Sequence, residues 1–127
     1  MSNLAWLAFL IAAAIGAPAR YVIDGLIEHR TDGAFPWGTF VVNVSGSLIL
    51  GVITGLGLYH GLDTTTRTVL GTGGMGAYTT FSTFTFETVR LAEEGATGEA
   101  LRNIAASFIV CLAAASAGLA LSLLLRF

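Results

Sequence analysis

Apolar runs long enough to cross a bilayer take up most of this chain, and that fact limits its fold more than any other. The runs cover roughly residues 4–27, 38–59, 66–92 and 100–125. A helix needs about 20 apolar residues to span a hydrocarbon core of roughly 30 Å. Four spans use about 80 residues on that estimate, which leaves only short loops within these 127 residues. Charged residues make up 11% of the chain, against about 25% in soluble domains. The expected fold is therefore an all-α membrane protein, with one transmembrane domain over residues 1–127 and four spans.

The loops carry the punctuation. Glu28-His29-Arg30-Thr31-Asp32-Gly33-Ala34-Phe35-Pro36 is the clearest breaker. Shorter polar loops follow near residues 60–65 and 93–99. Trp37 and Tyr59 flank the second span, where interfacial aromatics belong. The first run has no basic region before it, and its apolar character resumes at Tyr21-Val22-Ile23. It reads as a spanning helix, not a cleaved signal. Arg126 caps the last span. If loops alternate sides, Arg67 and Arg126 share the side of the N-terminus, and Arg30, Arg90 and Arg102 face the other. That is almost no positive-inside bias. Two readings stand: a topology set by other details, or a chain that inserts both ways and pairs with an inverted copy. A net charge of −2 gives no footing for nucleic acid. Cys111 lies in an apolar run, and His29 and His60 form no ligand cluster. With no nucleophile–base pair and no cofactor loop, no enzyme is expected.

The third span is unusual. Gly71, Gly73, Gly74 and Gly76 crowd six positions, and each glycine weakens a helix by roughly 1 kcal/mol relative to alanine. Close helix packing is one reason to accept that. A helix break at mid-membrane is the other, tolerated where the backbone is buried or lines a polar cavity. Thr79-Thr80-Phe81-Ser82-Thr83-Phe84-Thr85 follows, with five of seven positions hydroxylated. That cluster favours the break, expected at Gly76 to Thr79. Phe81 and Phe84 are three apart, as are Ser82 and Thr85, so each pair shares a helical face. Hydroxyl donors beside the positive edges of aromatic rings suit a small anion.

Asn43 is the second anchor. It stands early in an apolar span, as an interhelical hydrogen-bonding group or as an amide donor at a pore. Ser47, four residues on, shares its face; Ser45 does not. Arg20, Asp24 and Glu87 are the ionisable residues within spans, and such residues are functional candidates. Arg20 and Asp24 are four apart, which allows an intrahelical ion pair. Otherwise Arg20 supplies a fixed positive charge at an anion vestibule. Glu87 follows the hydroxyl stripe by one turn and is expected to face a wet vestibule. Ser107 either extends the polar lining or packs.

Three stretches together resemble the Fluc, or CrcB, family of small fluoride channels: Gly16-Ala17-Pro18-Ala19-Arg20-Tyr21, Gly38-Thr39-Phe40-Val41-Val42-Asn43, and Gly76-Ala77-Tyr78-Thr79-Thr80-Phe81-Ser82-Thr83-Phe84. The resemblance covers the whole chain in length and span order. It implies passive, selective fluoride export across the cell inner membrane by a dual-topology, antiparallel dimer with two pores. It also implies a structural sodium ion at the dimer centre, held by the main-chain carbonyls of Gly76 and Thr79. Phe81 and Phe84 match the aromatic box, and Ser82 and Thr83 the hydroxyl lining. Asn43 matches the pore asparagine and Arg20 the first-helix arginine. Glu87 fits the acidic residue after the motif, and Ser107 a hydroxyl of the last span. The implied partners are fluoride, sodium, lipid and an inverted second subunit, with a homodimer favoured over a heterodimer. Ala77 departs from the pattern, standing where many relatives have glycine.

Two other functions have the right size. A small dual-topology multidrug exporter needs a central carboxylate early in the first span, and the earliest here is Asp24, near its end. A structural membrane subunit would use the glycines and hydroxyls only for packing.

Overall fold

The computed structural model describes residues 1–125, so Arg126, read above as a cap, lies outside the described residues. Among those described there is no β-strand. The helices are α1 (Asn3–Glu28), α2 (Trp37–Tyr59), α3 (Thr64–Arg67), a π-helical stretch (Thr68–Met75), α4 (Gly76–Tyr78), α5 (Ser82–Glu93) and α6 (Thr97–Leu124). Three of these, α1, α2 and α6, are long and apolar enough to cross a membrane. At 1.5 Å per residue, the 23 residues of α2 extend about 34 Å, enough for the hydrocarbon core.

Helix ends follow from local chemistry. The Ser2 hydroxyl accepts the Ala5 amide at 3.2 Å and caps α1. Pro36 precedes α2 and offers no side-chain cap. The orphan Gly38 amide instead donates to Glu28 Oε1 at 3.0 Å, from the end of α1. Asp63 accepts both the amide and the hydroxyl of Thr66 and starts α3. These bonds hold its carboxyl below its ordinary 3.8. Phe35, Trp37 and Phe40 stack edge to face, and the Arg102 guanidinium sits 4.7 Å from the Phe35 ring centroid. This cation–π contact ties the first loop to the start of α6.

Packing depends on small residues. A Cβ placed on Gly51 would strike the Ala115 carbonyl, and one on Gly118 would strike the Leu48 carbonyl. Backbones of α2 and α6 therefore touch, and the helices run parallel, with Arg102 beside Trp37 at their starts and Ser122 beside Gly55 at their ends. On the other side of the bundle, Gly16 of α1 backs onto the Gly74 carbonyl and Gly73 packs on Phe9. The buried apolar core is correspondingly small, including Val42, Ile53, Tyr78 and Leu91. Many large apolar side chains along α1 and α6 face outward, as lipid-facing or partner-facing surfaces do.

The break in the third region differs from the sequence expectation. Gly76–Tyr78 is helical, and the chain becomes extended at Thr79 (φ −77°, ψ 162°). Helix resumes only at Ser82. The glycines before it sit in wide π turns, with Gly71, Gly73 and Gly74 buried. Lacking side chains, they fit a backbone pressed against α1, and the packing compensates for their poor propensity. The interruption falls on the hydroxylated residues, which carry their own means of satisfying freed backbone groups.

Candidate functional site at the helix break

Amides and carbonyls freed by a break and buried away from water need partners. Asn43 supplies two. Its Nδ2 donates to the Thr80 carbonyl and its Oδ1 accepts the Thr80 amide, both at 2.8 Å. The side-chain amide thus mimics a backbone partner across the break. Thr80 Oγ1 accepts the Thr83 amide at 3.2 Å and donates to Thr83 Oγ1 at 3.0 Å. This caps α5 from within the motif. Thr79 Oγ1 donates to the Met75 carbonyl at 2.9 Å and closes the preceding half.

Arg20 reaches from α1 to the same place. Its Nη1 donates to the Thr79 carbonyl at 3.2 Å. The intrahelical pair with Asp24 allowed by spacing is not formed. The ion pairs among the described residues are Arg90–Glu94 and Arg102–Glu99, both exposed. A carbonyl released by the break is a better-placed acceptor than a carboxylate one turn along. The Gly76 carbonyl has no hydrogen-bond donor among the described residues, and Gly76 is exposed.

A cavity of about 440 Å³ opens beside the break. Asn43, Ser47, Phe81, Phe84, Ser107 and Cys111 are among its lining residues. Ser47 is there and Ser45 is not; Ser45 hydrogen-bonds the Tyr78 hydroxyl at 2.9 Å. The Phe81 and Phe84 rings lie 5.7 Å apart, tilted by 41°. Phe81 is 78% exposed, so this chain covers little of the ring. Ser82 and Thr83 stand just outside the cavity lining. Ser82 is exposed beside Thr80 Oγ1, and the Thr83 hydroxyl is engaged by Thr80.

Glu87 joins α5 to the start of α2 through Thr39, whose hydroxyl donates to Oε1 at 3.0 Å. The other oxygen, Oε2, is buried without a protein partner, as is Asp24 Oδ1 beside Gly38. Both carboxylates are half-buried, and neither lines the cavity at the break. Asn103 was not singled out from the sequence. It is only 1% exposed, donates to Thr88 Oγ1 at 2.9 Å and accepts from Ser107 Oγ at 3.2 Å. An amide inside the apolar run of α6 was the signal, of the same kind as Asn43.

Long apolar helices around one interrupted helix, with hydroxyls, an amide and ring edges gathered on a cavity, define a membrane protein that handles a small polar solute. The family model described as CrcB-like protein, Camphor Resistance (CrcB), matches residues 7–119, and the chain belongs to that family. It is 47% identical over 113 residues to the fluoride-specific ion channel FluC 1 of Streptomyces avermitilis, covering 89% of this chain and 91% of that one. It is 46% identical over 119 residues to FluC 1 of Leifsonia xyli subsp. xyli, covering 94% and 87%. With FluC 4 of Brucella abortus the identity is 40% over 121 residues, covering 93% and 91%.

Proposed function

We propose that this chain is a fluoride-selective channel that lets fluoride leave the cell passively across the plasma membrane. The single observation that carries the reading is the cavity at the break, where Asn43, Ser47 and Ser107 meet the Phe81 and Phe84 rings. Fluoride is small and strongly hydrated, so entry requires donors in place of water. One Asn43 N–H is used on Thr80, and the other remains for an ion. The Ser47 hydroxyl and the ring edges add donors of graded strength, and Ser107 joins them when its proton turns from Asn103 toward the ion. Several moderate sites in series favour passage over trapping. Ser82 and Thr83 extend the hydroxyl surface, with Thr83 reached through Thr80. Arg20 raises the local positive potential.

The interrupted region forms the fourth span. Residues 64–78 and 82–93 extend about 22 and 18 Å at 1.5 Å per residue, so neither half crosses alone and together they do. An inverted second copy completes the structure as a homodimer with two pores, covering exposed Phe81 and the exposed Gly76 carbonyl. The balanced arginines support insertion in both orientations. A sodium ion at the dimer centre would be held by Gly76 and Thr79 carbonyls. The free Gly76 carbonyl fits such a cation. The Thr79 carbonyl fits through the lone pair that Arg20 leaves. The ion's role is to neutralise carbonyl dipoles where two breaks meet.

The test is fluoride efflux from liposomes carrying the purified protein, followed with a fluoride electrode and compared with chloride. Fluoride flux far above chloride flux is expected. Proton-dependent uptake of a lipophilic cation instead would point to an exporter, and absence of any flux to a structural subunit.

A further inference from the structure

A second cavity, of about 180 Å³, lies between α2 and the first half of the interrupted region. Leu50, Thr54, Thr64, Arg67, Thr68 and Thr72 are among its lining residues. Its relation to the larger cavity follows from helix periodicity. Asn43, Ser47, Leu50 and Thr54 are spaced four, three and four apart, so they form one stripe along α2. Asn43 and Ser47 line the larger cavity, Thr54 lines the smaller one, and Leu50 lines both. The two cavities are therefore successive stations on one helix face, with an apolar side chain between them.

The second station has the chemistry of an anion site. The Arg67 guanidinium makes neither an ion pair nor a hydrogen bond among the described residues. Asp63, the acid one turn before it, is committed to Thr66. The Arg67 side chain passes against α2 at Gly57, where any Cβ would meet its Cδ, Nε and Cζ. That glycine is what lets the charge approach the helix. The hydroxyls of Thr54, Thr64 and Thr72 have no protein partner, while Thr68 donates to the Thr64 carbonyl at 2.8 Å. A fixed cation with uncommitted hydroxyl donors, open to the end of the bundle, concentrates small anions.

We propose that this cavity is a second halide vestibule, which receives fluoride from the Asn43 cavity past Leu50 and passes it to the opposite membrane face. The inference rests on the channel reading given above. Arg67 supplies the attraction, the threonines supply donors, and Leu50 is the constriction that separates the two cavities. A competing role for Arg67 is structural: it lies near the C-terminal end of α2, where a cation complements the helix dipole.

Efflux from liposomes separates these roles, using the full-length protein at two ionic strengths. The wild type and the Arg67→Gln, Arg67→Lys and Leu50→Phe variants are compared, with melting temperatures in detergent. Arg67→Gln should slow fluoride efflux on the order of threefold to tenfold at low ionic strength. The deficit should shrink below about twofold near 1 M salt, where the screening length is roughly 3 Å. Arg67→Lys should keep most of the flux, and Leu50→Phe should slow it at both ionic strengths with an unchanged melting temperature. If Arg67→Gln does not fold, the salt dependence of the wild type and of Arg67→Lys carries the test. Equal flux in wild type and Arg67→Gln at both ionic strengths overturns the vestibule and leaves the channel reading intact. So does a loss by the same factor at both. A wild type that moves no fluoride overturns both readings.

Discussion

Replacing Asn43 with alanine removes two hydrogen bonds of 2.8 Å and leaves the amide and carbonyl of Thr80 without partners. Thr80 is buried, so water does not readily replace the lost partners. A buried group left unsatisfied costs roughly 1–3 kcal/mol. Interhelical side-chain bonds in membranes average nearer 0.6 kcal/mol, because the unfolded helices find other partners. With two groups exposed, the expected loss is about 2–4 kcal/mol, reduced if water enters from the 440 Å³ cavity. The assay is chemical unfolding in mixed micelles, followed by helical circular dichroism, with fluoride efflux measured on the same samples. Asn43→Asp is the informative companion. It keeps an acceptor for the Thr80 amide, loses the donor to the Thr80 carbonyl, and places a negative charge on the proposed fluoride path. Alanine should lower stability and flux together, while aspartate should lose more flux than its stability loss accounts for. Stability of Asn43→Ala within about 0.5 kcal/mol of wild type would refute the clasp, because even one orphaned group should cost more.

Gly118→Ala should destabilise the bundle by about 1–3 kcal/mol, since its Cβ would meet the Leu48 carbonyl and the Val52 amide across α2; unfolding in the same micelles measures it. Asn103→Leu keeps the branched shape but removes the bond to Thr88, which retains its own to the Phe84 carbonyl, and leaves the Ser107 hydroxyl without its acceptor; it is expected to cost about 1–2 kcal/mol and slow fluoride efflux. The Asp63 carboxyl is held below its ordinary 3.8 by Thr66. Its stabilising effect is therefore fully present above that value and is lost as pH falls through the lower folded one. Melting curves between about pH 6 and pH 2 should show an acid-dependent decline in wild type that is shallower in Asp63→Ala.

Hydropathy made the long helices readable because lipid exposure forces apolar side chains over their whole length. α1 runs Asn3–Glu28 and α2 runs Trp37–Tyr59, within a residue of where the composition changes. The break was readable as a feature but not in its position. Glycine lowers helix propensity locally, yet Gly73 and Gly74 stay helical because α1 presses on them from outside the segment. No local pattern reports that pressure. The fate of Arg20 was hidden for the same reason. Asp24 is its neighbour in sequence, but the Thr79 carbonyl, 59 residues away, is the acceptor it uses. Asn43 was recognisable as an intramembrane amide, whereas its bond to the Thr80 backbone required the fold. Asn103 obeys the same rule and could have been found by it.

These long-range bonds explain why glycines and hydroxyls occur together in one span. Glycines alone allow α1 to close on the backbone, through Gly16 and Gly74. Hydroxyls alone bond back to their own helix, as Thr85 and Thr88 do to Phe81 and Phe84. Close approach brings Arg20 within reach of Thr79, and the hydroxyls then let the chain leave the helix without orphaning its backbone. Asn43 completes the exchange from α2. The break is therefore satisfied by three different elements, α1, α2 and the motif itself. A substitution in any of them should loosen the same few residues, and with them the Phe81 and Phe84 rings that follow directly. On the channel proposal, structural support and ion handling meet in one motif because the groups that stabilise an interrupted helix are the same types that replace water around an anion.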